Sequence, residues 1–242
     1  VLAPTGILLR RDSRNRREQG EEQPAELVFG AVPERLPLEE NGARFSVPVY
    51  EGQKTGWFYD HRLSRARLAG LAGGARVLDV YSYIGGWGVQ AAAAGAREVH
   101  CIDSSRRALE AGQVNASLNG VADRVHTQRG SAPEIMTELR AAGERFDIVI
   151  LDPPAFVQRR KDLKKGITAY RRINELALGL LHPGGLLVSA SCSMHLARAD
   201  LVAALQQAAV RAGCRLQIVD QGGQGPDHPV HPAIAETEYL KT

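Results

Sequence analysis

From residue 60 onward, short apolar runs alternate with longer mixed stretches in a regular order. The stretches at 76–80, 98–102, 124–128, 146–151 and 185–190 read as strands, the last of them buried. Between them, the stretches at 85–94, 104–119, 132–142 and 167–181 read as helices, with a further helix at 60–70 before the first run and one at 196–211 after the last. Ser104 supplies an N-cap for the second of these helices, and Asn119-Gly120 a C-terminal stop. A strand at 215–219 and another at 236–240 complete the pattern. Strands alternating with helices of 10–15 residues predict an α/β fold with a doubly wound, mostly parallel sheet. Ahead of it, residues 1–56 read as a small β-rich subdomain and linker, and residues 57–242 as the main domain. In the small part, 6–10 reads as a strand and 12–22 as a charged helix. Strands at 27–29 and 43–50 would form a β-hairpin, with turn chemistry from Glu39 to Gly42.

Composition narrows this picture only a little. A length of 242 residues suits one large α/β domain with a small attachment. No apolar run approaches the ~18 residues of a membrane span, and no signal peptide opens the chain. The first residue is not Met and a strand-like pattern runs into Thr242, so the sequence reads as a piece of a longer chain. Cys101, Cys192 and Cys214 lack metal-ligand spacing and favour a reducing, cytoplasmic setting. Net charge is only +3, yet seven basic residues against one acid crowd the stretch 156–172, "FVQRRKDLKKGITAYRR". A solvated face is the ordinary reading of such a run. Its place directly after a candidate catalytic motif instead makes Arg159, Arg160, Lys161, Lys164 and Lys165 candidates for holding RNA phosphates.

The candidate chemistry gathers where strands end, the edge at which ligands bind in doubly wound sheets. A dinucleotide fingerprint would place glycines directly after the first strand. Here Asp79 stands there, and Gly85, Gly86 and Gly88 follow later. An acid in that place repels a pyrophosphate but tolerates a cationic ligand without phosphate, of which S-adenosylmethionine is one. Asp103 ends the second strand and can accept hydrogen bonds from both ribose hydroxyls; a helix cap is the plain alternative for either aspartate. Tyr81, Tyr83, Ser104 and Ser131 complete the cofactor candidates, with Lys54 and Arg62 for its carboxylate or for RNA phosphate. The strand at 146–151 runs into Asp152-Pro153-Pro154, where two prolines stiffen the backbone and hold the carboxylate at the sheet edge.

Five stretches carry a resemblance. "GQKTGWFYDHR" (52–62), "DVYSYIGGWG" (79–88), "DSSRRALEAGQVNASLNG" (103–120), "LDPPAF" (151–156) and "SCSMH" (191–195) occur in that order. Together they resemble the class I methyltransferases of the large-subunit ribosomal RNA methyltransferase I family, which make 5-methylcytosine. The resemblance implies a Rossmann-like class I methyltransferase domain, S-adenosylmethionine as cofactor, and large-subunit ribosomal RNA as partner in the cytoplasm. It also implies an N-terminal PUA domain, which this sequence lacks, and leaves a homodimer open. Two positions depart from the expected pattern. Ser131 stands where the family usually has an acid near the adenine, and Pro154 stands where many other RNA cytosine methyltransferases carry a second cysteine.

Cys192 closes the set. Cytosine C5 is too weak a nucleophile to take a methyl group from a sulfonium unaided, whereas a thiolate adding to C6 turns C5 into an enamine carbon. Cys192 follows a strand expected to lie beside that of Asp152, so thiol and carboxylate can face one extruded base. A buried packing residue is the usual fate of a cysteine, but the Ser-Cys-Ser setting at a strand end favours the nucleophile. Two alternatives stay open: transfer to a nitrogen with Cys192 uninvolved, or a non-catalytic RNA-binding module.

Overall fold

The computed structural model describes residues 3–10, 25–50 and 56–242. The charged helix expected at 12–22 and the candidate Lys54 lie outside them. Two compact units are present: Val1–Leu38 with Ser46–Trp57, and Glu39–Phe45 with Phe58–Thr242.

In the smaller unit, β1 (Gly6–Leu9) pairs antiparallel with β2 (Glu26–Gly30). A second two-stranded sheet joins β3 (Arg35–Glu40) to β4 (Ala43–Pro48). The expected hairpin between 27–29 and 43–50 therefore has the right turn and the wrong partner. Asn41 and Gly42 both have positive φ (53° and 78°), the geometry of a two-residue hairpin loop, and that loop joins neighbouring strands. The sequence of β3, with a proline and two glutamates, hid it as a strand.

The larger unit is the expected α/β core. Five parallel strands, β5 (Arg76–Val80), β6 (Glu98–Asp103), β7 (Val125–Arg129), β8 (Phe146–Leu151) and β9 (Leu181–Ser189), lie in the order β7-β6-β5-β8-β9. Helices α1 (Arg62–Ala69), α2 (Gly88–Ala93), α3 (Arg106–Leu118), α4 (Ala132–Ala141), α5 (Leu163–Leu178) and α6 (Arg198–Ala212) connect or flank them. Central strands of such a sheet are covered on both faces, which is why they read as continuous apolar runs. Val77, Leu78 and Val80 of β5, and Val149, Ile150 and Leu151 of β8, are all fully buried.

Strand order reverses between β5 and β8, which makes their carboxyl ends the natural ligand crevice. Register fixes the depth of each acid there. Val80 lies level with both Ile102 and Leu151, so Asp103 and Asp152 sit one residue beyond it, whereas Asp79 sits one residue below.

Three sequence expectations fail outside this core. Residues 215–219 form no strand: all five are exposed and have no ladder partner, and alternating apolar residues alone do not make one. Residues 236–240 hold a short 3-10 turn (Ala235–Thr237), with only an isolated bridge between Ser191 and Lys241 beyond it. The N-cap of α3 is Ser105, whose hydroxyl accepts from the Ala108 amide, and not Ser104.

The tip of the β3–β4 hairpin belongs to the larger unit, where a buried ion pair and bonds from Asn41 and Arg44 hold it. Arg65 of α1 grips Glu40 through Nε and Nη2 (2.7 and 3.0 Å), and Nη2 also donates to the Phe58 carbonyl at 2.6 Å. Gln90 of α2 donates to the same carboxylate at 3.0 Å and accepts from Asn41 at 2.8 Å. Removing one partner of such a pair strands a buried charge. Glu40→Ala is accordingly expected to lower unfolding free energy by about 3–5 kcal/mol, measured by urea denaturation. A loss under about 1 kcal/mol would show that water reaches Arg65 and replaces the carboxylate.

Candidate active site

The chain leaves β5 through a loop that two tyrosines enter with left-handed backbones. Tyr81 has φ 66° and Tyr83 φ 50°, alongside Gly85 at 82°. Non-glycine residues avoid this region at a cost of about 1–3 kcal/mol, and they persist where surrounding contacts fix them. Here the Ser82 amide donates to the Ile102 carbonyl at 3.0 Å, and the Tyr83 amide donates to Asp103 Oδ2 at 2.9 Å. Asp103 Oδ1 meanwhile accepts from the Ser105 amide at 2.8 Å. The carboxylate thus ties the β5 loop to the β6 turn and keeps further lone pairs for a ligand.

Asp79 behaves differently from its sequence reading. It is fully buried, and its Oδ2 accepts from the first amide of α2, Gly88 N, at 2.8 Å. A Cβ at Gly88 would stand 3.0 Å from that oxygen and 2.8 Å from Cys101 Sγ, so only glycine lets helix and strand approach this closely. Asp79 Oδ1 is buried without a hydrogen-bond partner. Asp79 is therefore a support of the loop, placed one residue too deep to wall the site. Burial above all, with Asp152 and Asp103 adding repulsion, pushes its pKa up to about 7 against the pull of the Gly88 amide and Arg65.

Asp152 stands at the end of β8, partly open. Trp87 Nε1 donates to its Oδ2 at 3.0 Å, and His61 Nε2 lies 3.2 Å from its Oδ1. Both partners are 3% exposed, so they reach the carboxylate from beneath. Burial raises its pKa, but the opposing effects of His61, Trp87 and Arg65 prevail and hold it below the ordinary carboxylate value. His61 and Trp87 lie inside the stretches 52–62 and 79–88, where sequence alone assigns neither a role. The available signal was a buried-type aromatic and a histidine, each next to a strand or helix that converges on the same edge.

Cys192 follows β9, the parallel neighbour of β8, as expected. The Ala190 amide donates to the Leu151 carbonyl at 2.8 Å, which brings the Cys192 loop to the strand end that carries Asp152. The two serines beside the cysteine are wholly buried. The Tyr170 hydroxyl of α5 is 2.8 Å from Ser191 Oγ and 2.9 Å from Ser193 Oγ, and Ser193 Oγ also accepts from the Val157 amide at 3.1 Å. Cys192 itself is partly exposed and in no disulfide, while Cys101 is buried and Cys214 exposed.

The remaining candidates divide. Tyr81 and Ser131 line one cavity of about 690 Å³ together with Pro133 and Phe156. Ser131 is the N-cap residue of α4, but its hydroxyl makes no capping bond. Gly86 lies partly exposed in the β5 loop. The carbonyl of Ser104 accepts from Arg129 at 3.2 Å. The Arg62 guanidinium meets Asp227 at 3.1 and 3.3 Å in a partly exposed pair. Arg159, Arg160, Lys161, Lys164 and Lys165 are all exposed; Arg159 pairs with Asp162, and Arg160 lies 3.9 Å from Glu236. Among the described residues no helix is long and apolar enough to cross a membrane, and no group of metal-ligating side chains occurs.

Residues 11–240 match a family model described as S-adenosylmethionine-dependent methyltransferase. The chain belongs to that family. S-adenosylmethionine is the cofactor that goes with it, and the donor set fits: acids and hydroxyls at the carboxyl edge suit a sulfonium and a ribose and offer no pyrophosphate cradle. This methyltransferase is 38% identical over 234 residues to a protein of Erwinia tasmaniensis named ribosomal RNA large subunit methyltransferase I, covering 96% of this chain and 59% of that one. It is 37% identical over 244 residues to a ribosomal RNA large subunit methyltransferase of Deinococcus radiodurans, covering 99% of this chain and 59% of that one. The chain thus spans about three fifths of these relatives' length. Among solved structures, a methyltransferase complexed with SAH superposes with a TM-score of 0.81 at 23% identity, over 90% of this chain and 57% of that one. A tRNA m1G37 methyltransferase of Methanocaldococcus jannaschii gives 0.61 at 16%, over 90% and 58%. Both likenesses concern the Rossmann-like fold alone.

The raised pKa of Asp79 makes stability fall as pH rises. Below 3.8 the carboxyl is neutral in folded and unfolded chains alike; between there and about 7 the unfolded chain alone gives up the proton. Without cofactor, the urea midpoint is therefore expected to decline across that window. Asp79→Asn keeps an acceptor for Gly88 and should lose this decline. An unchanged pH slope in the variant would assign the decline to other groups.

Proposed function

We propose that this methyltransferase transfers a methyl group to C5 of a cytosine in large-subunit ribosomal RNA, with Cys192 as the nucleophile. The observation that carries the reading is the contrast between Cys192, partly exposed, and the two buried serines that fix the backbone on either side of it. Such wiring aims a side chain outward at a strand end next to Asp152. The names of the relatives support the RNA class.

When bound, S-adenosylmethionine supplies an electrophilic methyl group on a sulfonium. Tyr81, Ser131 and Phe156, around one cavity, are the residues we assign to its adenosine end, with Asp103 for the ribose and the strained loop at 81–86 for its methionine end. The Cys192 thiolate adds to C6 of the base, forming an S–C6 bond and moving the ring's electron pair toward N3, which takes a proton from water. C5, now an enamine carbon, is nucleophilic enough to take the methyl group as its bond to the sulfonium sulfur breaks, the donor leaving as a neutral thioether. A base then removes the C5 proton, the electron pair left behind expels the thiolate, and N3 returns its proton to water. Asp152, kept ionised by His61 and Trp87, acts as an acceptor for N3–H of the adduct and not as an acid. Extrusion of the base costs a few kcal/mol, less where the RNA is single-stranded.

The basic stretch would hold the flanking phosphates. The Arg159–Asp162 pair is exposed, so exchange of a carboxylate for a phosphate costs little. Neutralising Arg159, Arg160 and Lys161 together is expected to weaken RNA binding and lower the salt slope by about 2, with cofactor affinity unchanged. An unaltered slope in filter binding would return the stretch to a solvated face.

The covalent step has a direct test. RNA containing 5-fluorocytidine should trap the methylated adduct, because fluorine cannot leave as a cation, giving a protein–RNA complex that survives denaturation. Cys192→Ala should abolish both complex and turnover while keeping cofactor binding. Cys101→Ala and Cys214→Ala should still form the complex. Full turnover by Cys192→Ala would reject covalent catalysis and favour transfer to a nitrogen, which needs no adduct.

A further inference from the structure

Lys241 has no part in the chemistry above, yet it is one of the least exposed charged side chains in the protein, at 3%. Its backbone brackets the cysteine loop: the Ser191 amide donates to the Lys241 carbonyl at 2.8 Å, and the Lys241 amide donates to the Ser191 carbonyl at 3.0 Å. At the end of its buried side chain, Nζ donates to the Ser193 carbonyl at 2.7 Å. Residues on both sides of Cys192 are thus bonded to one lysine. A buried ammonium is costly unless something nearby favours its charge, and one carbonyl is a thin reward.

We propose that Lys241 is a positioning residue for Cys192: it fixes the loop at residues 191 and 193 and supplies the positive charge that keeps the thiol ionised. The proposal rests on the reading of Cys192 as the nucleophile. A free thiol near pKa ~8.5 is only a few per cent thiolate at neutral pH, and a nearby cation is the ordinary way to raise that fraction. Tyr170 from α5 and Tyr239 and Lys241 from the C-terminal segment interact electrostatically with Cys192, and the ionised Asp152 ends the neighbouring β8. Burial raises the pKa of both tyrosines, so they are neutral at physiological pH and leave the lysine's charge in place. Burial lowers the Lys241 pKa, while Cys192 and Glu238 raise it and Arg198 lowers it further. Such coupling is mutual: whatever the thiolate adds to the lysine's hold on its proton, the ammonium takes from the thiol's.

The test reads the thiol directly. Cys192 is alkylated with iodoacetamide across a pH series, and its modified peptide is quantified by mass spectrometry in the wild type, Lys241→Met, Lys241→Gln and Lys241→Arg. Lys241→Gln retains a donor for Ser193 without the charge. The wild-type midpoint is expected below ~8.5. Both neutral variants should shift it upward by about one unit, a ~10-fold loss of thiolate at pH 7, and Lys241→Arg should hold it near the wild-type value. The acidic limb of kcat/KM for methyl transfer should move with the midpoint. S-adenosylmethionine affinity serves as the check on folding. A wild-type midpoint at or above 8.5, or a neutral variant that binds cofactor and keeps the wild-type midpoint, would overturn the proposal. Failure of the covalent reading looks different: Cys192→Ala would then turn over fully, whatever the midpoints are.

Discussion

Three carboxylates share one edge of the sheet, and the rest of the site is arranged to hold them there. Asp79, Asp103 and Asp152 end β5, β6 and β8 within two residue levels, and their like charges oppose one another. Each is met by fixed donors. Gly88 N serves Asp79, the amides of Tyr83 and Ser105 serve Asp103, and His61 and Trp87 serve Asp152. Because most of these donors are backbone amides or buried rings, they do not relax away when the charge is left without a counterion. The two left-handed tyrosines follow from the same demand: the loop must turn its Tyr83 amide back toward Asp103 while α2 presents Gly88 to Asp79.

The sequence pattern revealed what both faces of the sheet impose, and little of what single contacts impose. Continuous apolar runs marked β5 and β8 as central parallel strands, and the alternation of strands with helices placed the other three around them. β3 was not legible, because a strand in a small hairpin need not be apolar and its pairing is visible only in space. Residues 215–219 failed for the opposite reason, having strand chemistry but no neighbour. At the site, Asp103 and Asp152 were placed by register alone. The depth of Asp79 was lost, since one residue along a strand separates a wall from a buried support. The Arg62–Asp227 pair was not legible either, because the two residues lie 165 positions apart in sequence. Ser104 and Ser105 differ by one position, which is within the ordinary uncertainty of helix boundaries.

The serines that flank Cys192 illustrate how polarity can make a loop rigid. A hydroxyl buried without a partner is destabilising, whereas one that is satisfied fixes its neighbours. Ser191 and Ser193 each reach the Tyr170 hydroxyl, and the Ser193 amide donates to Ser191 Oγ at 3.2 Å. The network consumes the polar groups on both sides of the cysteine and anchors them to α5, a helix packed in the main core. Two apolar neighbours would bury as well but would not fix direction. The small hydroxyls do both.

The two ends of the crevice therefore differ in charge character. Along β5 and β6 it is acidic, with the field of Asp79 behind Asp103, which suits a cation whose sulfonium and ribose approach that side. Beyond β9, the buried charge behind the loop is the ammonium of Lys241, and a cation there favours an anionic sulfur. Asp152 stands between them, ionised by its own donors and not by either end. Methyl transfer of the proposed kind needs a positive carbon donor on one side and a negative nucleophile on the other. A crevice with acids at one end and a lysine at the other is already polarised in that sense before either ligand arrives, so less rearrangement is left for the reaction itself.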